Sequence, residues 1–127
     1  MGKNLLLDTD ILIDWLHGRT WAKDLLTQPG WVFYYSSLTH KELLSKEGLS
    51  DRERKKITAL LRHLRWIPVI PDIAQKTSEL LRYYHRRGLK KNDALIAATA
   101  WSKNLVLLTR NRRHFQFIRE ITLAGMP

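Results

Sequence analysis

Apolar positions along this chain follow two periods, and they alternate. Residues 4–8 form a short apolar run closed by a carboxylate, which predicts a buried strand. Thr9 or Asp10 then caps a helix through Ile11, Leu12, Trp15 and Leu16, and Gly18 stops it. A short helix covers 21–26, before the turn at Pro29 and Gly30. Segment 32–35 is aromatic and branched and reads as a second strand. The helix after it brings Leu38, Glu42 and Leu43 together at helical spacing. Ser50 and Glu53 form a capping-box pattern opening a basic amphipathic helix striped by Ile57, Leu60, Leu61 and Leu64. A third strand is expected at 66–70, broken by Pro68, and Pro71 and Asp72 start a helix running towards Gly88. Segment 92–102 predicts a small-residue, tightly packed helix. A fourth strand is expected at 105–108 and a fifth at 121–123.

Strands alternating with helices predict an α/β sandwich with a mostly parallel sheet of about five strands. At 127 residues, the chain is expected to form a single domain, 1–127, and its 44% apolar content suffices for one core. In such sheets ligands bind beyond the carboxyl ends of the strands. Asp8 follows the first strand, Glu42 lies one turn into the helix after the second, and Asp93 opens the helix before the fourth. Asn111 follows the fourth strand itself. Each has an ordinary alternative: capping for Asp8 and Asp93, a solvated helix face for Glu42, a turn for Asn111. Ionised carboxylates at ~4 Å repel by about 4 kcal/mol at an effective dielectric near 20, so these residues are expected to hold a cation, to share a proton or to lie further apart than a tight cluster. Hard divalent cations take oxygen ligands and activate water against a phosphodiester.

The chain holds no cysteine, which removes disulfides, thiolate metal sites and cysteine nucleophiles. Acidic residues break the apolar run of the amino terminus, so no targeting or membrane-spanning segment is expected, and the cytoplasm is the expected compartment. The net charge of +10 is uneven. Residues 1–50 carry five Lys/Arg against six Asp/Glu, whereas 51–127 carry 17 against six, a net of +11. Such asymmetry points to a polyanionic partner, nucleic acid or an acidic protein, against the plainer reading of a solvated basic surface. Arg86, Arg87, Lys90, Lys91, Arg110, Arg112 and Arg113 flank Asp93 and Asn111 in sequence and are the expected phosphate contacts. Tyr83 and Tyr84 are suited to base stacking or to packing. The five histidines lack zinc-ligand spacing.

The strings LLLDTDILIDWL, SSLTHKELLSKEG, NDALIAATAWSKNLVLLTRN and RRHF resemble, in order and spacing, the motifs of PIN domains, and VapC-like ones most closely. The resemblance runs from about residue 4 to 117, and DALIAATA followed by a strand and TRN is its most specific part. It implies a three-layer α/β/α PIN-like fold and a metal-dependent endoribonuclease, the toxin of a toxin–antitoxin pair. Asp8, Glu42 and Asp93 would bind Mg²⁺ or Mn²⁺, and Asn111 falls at the fourth motif position, where many relatives have Asp. His114 falls where others often carry another acid. With fewer carboxylates, one firmly held ion is expected in the absence of RNA. Thr9 and Asp10 would position Asp8 or a metal-bound water, and Thr109 the loop presenting Asn111. The resemblance also implies a homodimer and an antitoxin partner. Ile11, Trp15, Leu16 and Trp21 exceed what one helix face needs for a core, so an apolar groove accepting an antitoxin helix is expected there, with a basic partner residue entering the acidic pocket. The competing readings are a housekeeping RNA-processing nuclease and a non-catalytic RNA-binding module.

Overall fold

The computed structural model describes residues 3–126. Four strands, β1 (Lys3–Leu7), β2 (Trp31–Ser36), β3 (Arg65–Ile67) and β4 (Val106–Leu108), form one sheet in the order β3-β2-β1-β4. Every pairing is parallel, with Leu5 beside Phe33 on one side and Val106 on the other. β1 is therefore an inner strand, and its Leu5, Leu6 and Leu7 are all buried. Alternation along β1 divides them between two cores. Leu5 and Leu7 face one cluster, with Ile11, Leu12, Leu43, Leu60 and Leu61. Leu6 faces the other, with Ile73, Leu80, Ile96, Ala97 and Phe115. A continuous apolar run rather than an alternating one is what a strand buried on both faces requires.

The helices supply the two outer layers. α1 (Thr9–Leu16), α2 (Thr20–Leu26), α3 (Ser37–Leu44) and α4 (Asp51–Leu61) lead the first face, and α5 (Pro71–Tyr84) with α6 (Lys91–Lys103) cover the second. The expected α/β/α layering is observed. α4 opens with the capping box, Ser50 accepting from the Glu53 amide at 3.1 Å. α6 packs closely because Ala94, Ala97, Ala98 and Ala100 let it approach the sheet, and it ends at Asn104, in the left-handed conformation at φ 53°.

Several expectations need correction. The third strand is shorter and earlier than 66–70, because Pro68 has no amide to extend the ladder past Ile67. The segment 121–123 does not form a fifth strand. It makes one parallel bridge, Leu123 to Leu107, flanked by hydrogen bonds from the Leu107 amide to Thr122 and from the Ala124 amide to Leu107. β4 is three residues long, so there is little ladder for a further strand to follow. Asp8, not Thr9 or Asp10, is the cap of α1, its side chain accepting from the Thr9 amide. Ile11 belongs to the core at 0% exposure, so it contributes to no groove. Its neighbour Ile13, at 36%, is exposed instead. No described helix is long and apolar enough to cross a membrane.

Candidate functional site

The strand order reverses between β1 and β4. The chain builds outward from β1 through β2 to β3 and then returns to the other side of β1. The carboxyl ends of these two adjacent strands lead into separate connections, the position at which ligands bind in open parallel sheets. Asp8 leaves β1 there and Thr109 to Asn111 leave β4. The Asp8 amide donates to the Leu108 carbonyl at 3.0 Å, so the two strand ends are held together at the site.

Asp8 is buried, and both of its oxygens are engaged. Oδ1 accepts from the Thr9 amide at 2.8 Å and Oδ2 from the Thr109 hydroxyl at 2.7 Å. Burial pushes its pKa from 3.8 up to about 6, helped by the charges of Asp10 and, more weakly, Asp93, and opposed by the two hydrogen bonds. Asp10 is also pushed up, first by burial, against the Arg110 amide at 3.0 Å and the Arg110 charge. Asp10 Oδ1 is a buried oxygen with no hydrogen-bond partner. The Thr9 hydroxyl donates to Glu42 Oε1 at 2.8 Å and lies 2.9 Å from the Thr39 hydroxyl. With the Thr9 proton directed at Glu42, Thr39 is the donor of that second bond. Asp93 sits in the first turn of α6, and its Oδ2 lies 3.2 Å from His114 Nδ1.

Of the residues the sequence singles out, Asp8, Thr9, Asp10 and Thr109 form one hydrogen-bonded unit, and Glu42 joins it through Thr9. Asp93 is near enough for its charge to act on Asp8. Asn111 is exposed beside them, its amide bonded to Thr109 Oγ1 at 3.0 Å. Two participants went unremarked in the sequence. Thr39 lies three residues before Glu42, on the same side of α3, and is fully buried. Asp14 lies four residues after Asp10, one turn on, and accepts from Arg110 Nε at 2.9 Å. That spacing was the available signal for Asp14.

The basic residues divide. All seven are exposed, and Lys90 and Lys91 stand at the start of the helix that carries Asp93. Arg110 is bound to Asp14, Arg112 donates to the Ala124 carbonyl, and Arg87 covers the Phe117 ring at 5.0 Å. Tyr83 is exposed, whereas the Tyr84 hydroxyl is held by Glu120 and the Arg119 amide.

Among the described residues no group of three His, Cys, Asp or Glu side chains is arranged to hold a metal ion as it stands. The donor chemistry nevertheless suits a hard cation. Asp8 and Asp93 offer neighbouring carboxylates, and Asp10 Oδ1 is an oxygen without a partner. Mg²⁺ is commonly held by one or two carboxylates while water fills the rest of its shell.

A family model described as PIN domain matches residues 5–120. The chain is 36% identical over 121 residues to a Mycobacterium tuberculosis protein named ribonuclease VapC19, covering 91% of this chain and 95% of that one. Among solved structures, a toxin–antitoxin complex from Klebsiella pneumoniae contains a chain 32% identical to this one, with a TM-score of 0.75 over 93% of this chain and 95% of that chain. A DNA-bound VapBC from Salmonella typhimurium matches with a TM-score of 0.84 over 100% of both chains at 24% identity, a likeness of fold.

Proposed function

This chain belongs to the PIN-domain family, and from that premise we propose that it is a metal-dependent endoribonuclease, the toxin of a toxin–antitoxin pair. The observation that carries the reading is Asp8: a buried carboxylate at the adjoining carboxyl ends of β1 and β4, pushed up to about 6 by burial and by acidic neighbours. A carboxylate kept out of water beside other carboxylates is stabilised in its ionised form by a cation. Asp8 and Asp93 are the proposed ligands, with Glu42 contributing through the Thr9 bridge. Mg²⁺ or Mn²⁺ bound there would supply charge relief at the scissile phosphate and an activated water. With few protein ligands and Asn111 in place of an acid, a single ion is firmly held before RNA arrives.

The protein's own part is positional. Thr109 fixes Asp8 Oδ2 and, through its oxygen, the Asn111 amide, so one buried hydroxyl sets the relative placement of both strand ends. Asp10 and Asp14 hold the Arg110 turn from α1. RNA is bound by the exposed Arg86, Lys90, Lys91 and Arg113 near Asp93, through phosphate contacts that bring affinity rather than sequence choice.

An unchecked nuclease damages its own cell, and a seat for an inhibitor is present. A groove of about 420 Å³ between α1, α3 and α4 is lined by Ile13, Leu16, Leu43, Leu49 and Ile57, with Glu42 at its wall. An amphipathic helix of an antitoxin fits there, and a Lys or Arg from it reaches the acidic end through Glu42. A homodimer is the proposed assembly of the free toxin. The test is cleavage of RNA by the purified protein in Mg²⁺ or Mn²⁺, lost on chelation and lost in Asp8→Asn and Asp93→Asn. Activity retained in both folded variants would overturn the assignment. Co-expression with the neighbouring small reading frame should give a stable, inactive complex. A free protein that is harmless when overproduced, and that never co-purifies with that product, would replace the toxin reading with a housekeeping nuclease.

A further inference from the structure

We propose that Thr39 is a positioning residue of the acidic site: its buried hydroxyl directs the Thr9 proton at Glu42 and so fixes where that carboxylate stands. The inference rests on the nuclease reading above and adds to it a residue that touches no substrate.

Other helical threonines of this chain set the contrast. Thr58, Thr77 and Thr99 each donate to the carbonyl four residues back, at 2.9, 2.8 and 2.8 Å. That bond is the ordinary outlet for a threonine hydroxyl inside a helix. Thr9 and Thr39 lack it. Each stands in the first turn of its helix, and the residues four before them, Leu5 and Tyr35, belong to β1 and β2. Their hydroxyls meet each other instead, 2.9 Å apart across 30 residues of sequence. Thr39 is fully buried, and Thr9 is the one hydrogen-bond partner of its hydroxyl among the described residues.

Counting protons gives the direction of the chain. Thr9 has a single hydroxyl proton, and Glu42 Oε1 lies 2.8 Å from its oxygen. An ionised carboxylate only accepts, so the Thr9 proton goes to Glu42 and Thr39 supplies the proton between the two hydroxyls. The bonds run one way, from Thr39 through Thr9 to Glu42, and each polarises the next. The near end is rigid, because the fully buried Ser36 caps α3 and accepts from the Thr39 amide at 3.4 Å. The far end is loose. Glu42 is exposed, and a long side chain there has many rotamers. Its bond to Thr9 selects among them. The Thr9 amide meanwhile donates to Asp8 Oδ1 at 2.8 Å. Thr9 therefore holds one acid by its amide and another by its hydroxyl, and Thr39 sets the hydroxyl.

The experiment compares wild type with Thr39→Ser, Thr39→Val and Thr39→Ala in the full chain. Ser keeps the hydroxyl and loses the methyl. Val keeps the volume, but its methyl cannot sit 2.9 Å from the Thr9 oxygen, so Ala controls for crowding. Cleavage of randomised single-stranded oligoribonucleotides carrying a fluorophore and a quencher is followed in Mn²⁺, beside thermal unfolding and NMR of the Thr9 hydroxyl proton. In Val and Ala, kcat should fall by about tenfold, with KM within about twofold of wild type. The Thr9 hydroxyl proton should exchange with water faster in both. Ser should melt a few degrees lower, having lost a buried methyl, yet keep the wild-type kcat and the slow Thr9 proton. Rates that follow melting temperature rather than the hydroxyl overturn the proposal and leave the nuclease standing. So does an Ala variant with wild-type kcat, or a loss confined to KM. A wild-type protein that cleaves no RNA in Mg²⁺ or Mn²⁺ removes the nuclease reading and this proposal together.

Discussion

Replacing Asp8 by Asn should make the metal-free protein more stable while abolishing cleavage, and the gain should depend on pH with a definite sign. The folded pKa of about 6 lies above the ordinary 3.8. At pH below 3.8 Asp8 is protonated in both states and contributes no difference. Between these values the folded state binds the proton and the unfolded state does not, so stability falls as pH rises. Above pH 6 the full cost of holding an ionised, buried carboxylate is present. Each pKa unit corresponds to 1.36 kcal/mol, so that cost is about 3 kcal/mol. Asn recovers only part of it. Its oxygen still accepts from the Thr9 amide, but its NH₂ must donate to Thr109, whose hydroxyl is left to turn towards Asp10 at 3.5 Å. Losing one charge-assisted bond returns about 1–2 kcal/mol, leaving a net gain of about 1–2 kcal/mol. For a domain of this size that is roughly 3–8 °C in melting temperature. The assay is thermal or urea unfolding of both proteins in a chelating buffer from pH 4 to 8, repeated with Mg²⁺. The gap should open between pH 4 and 6 and then level. Mg²⁺ at a hundred times its dissociation constant should stabilise wild type by about 2.7 kcal/mol and leave Asp8→Asn unmoved. An Asn variant less stable than wild type at pH 7.5, or a gap that ignores pH, would refute the argument.

Other consequences follow from the same geometry. Thr109→Val deletes a buried hydroxyl that bonds Asp8 and receives the Asn111 amide, and should cost about 1–3 kcal/mol in urea unfolding together with most of the cleavage rate. The double change Lys90→Ala, Lys91→Ala should flatten the salt dependence of single-stranded RNA binding by about 1.4 in log–log slope, at about 0.7 per phosphate contact. Arg110→Ala should leave that slope unchanged and show its loss in stability, because Arg110 is committed to the buried Asp14; equal slope changes in both would contradict the division of basic residues. Ile13→Asp, on an exposed position of the groove, should leave the melting temperature within a few degrees and prevent co-purification of the antitoxin.

The sequence by itself determined what depends on neighbours a few residues apart. The leucines of β1 ending in Asp8, the capping box at Ser50, the alanine-rich face of α6 and the order of the acidic motifs are local patterns set by the strand and helix periods. The same locality explains the misplacements. Ile11 and Ile13 are both apolar on an eight-residue helix, and only the packed sheet decides that the first is core and the second exposed. Segment 121–123 has the composition of a strand, yet whether it pairs depends on how much of β4 is left to pair with. Tertiary structure alone decided which distant groups meet. The sheet order puts β4 beside β1, so Thr109 bonds Asp8 across 101 residues. It gives Arg110, one of the expected phosphate contacts, a partner in Asp14, and it sets His114 against Asp93. No periodicity encodes these meetings, because each requires long stretches of chain to be closed by burying both faces of the sheet before two polar groups come within hydrogen-bond reach.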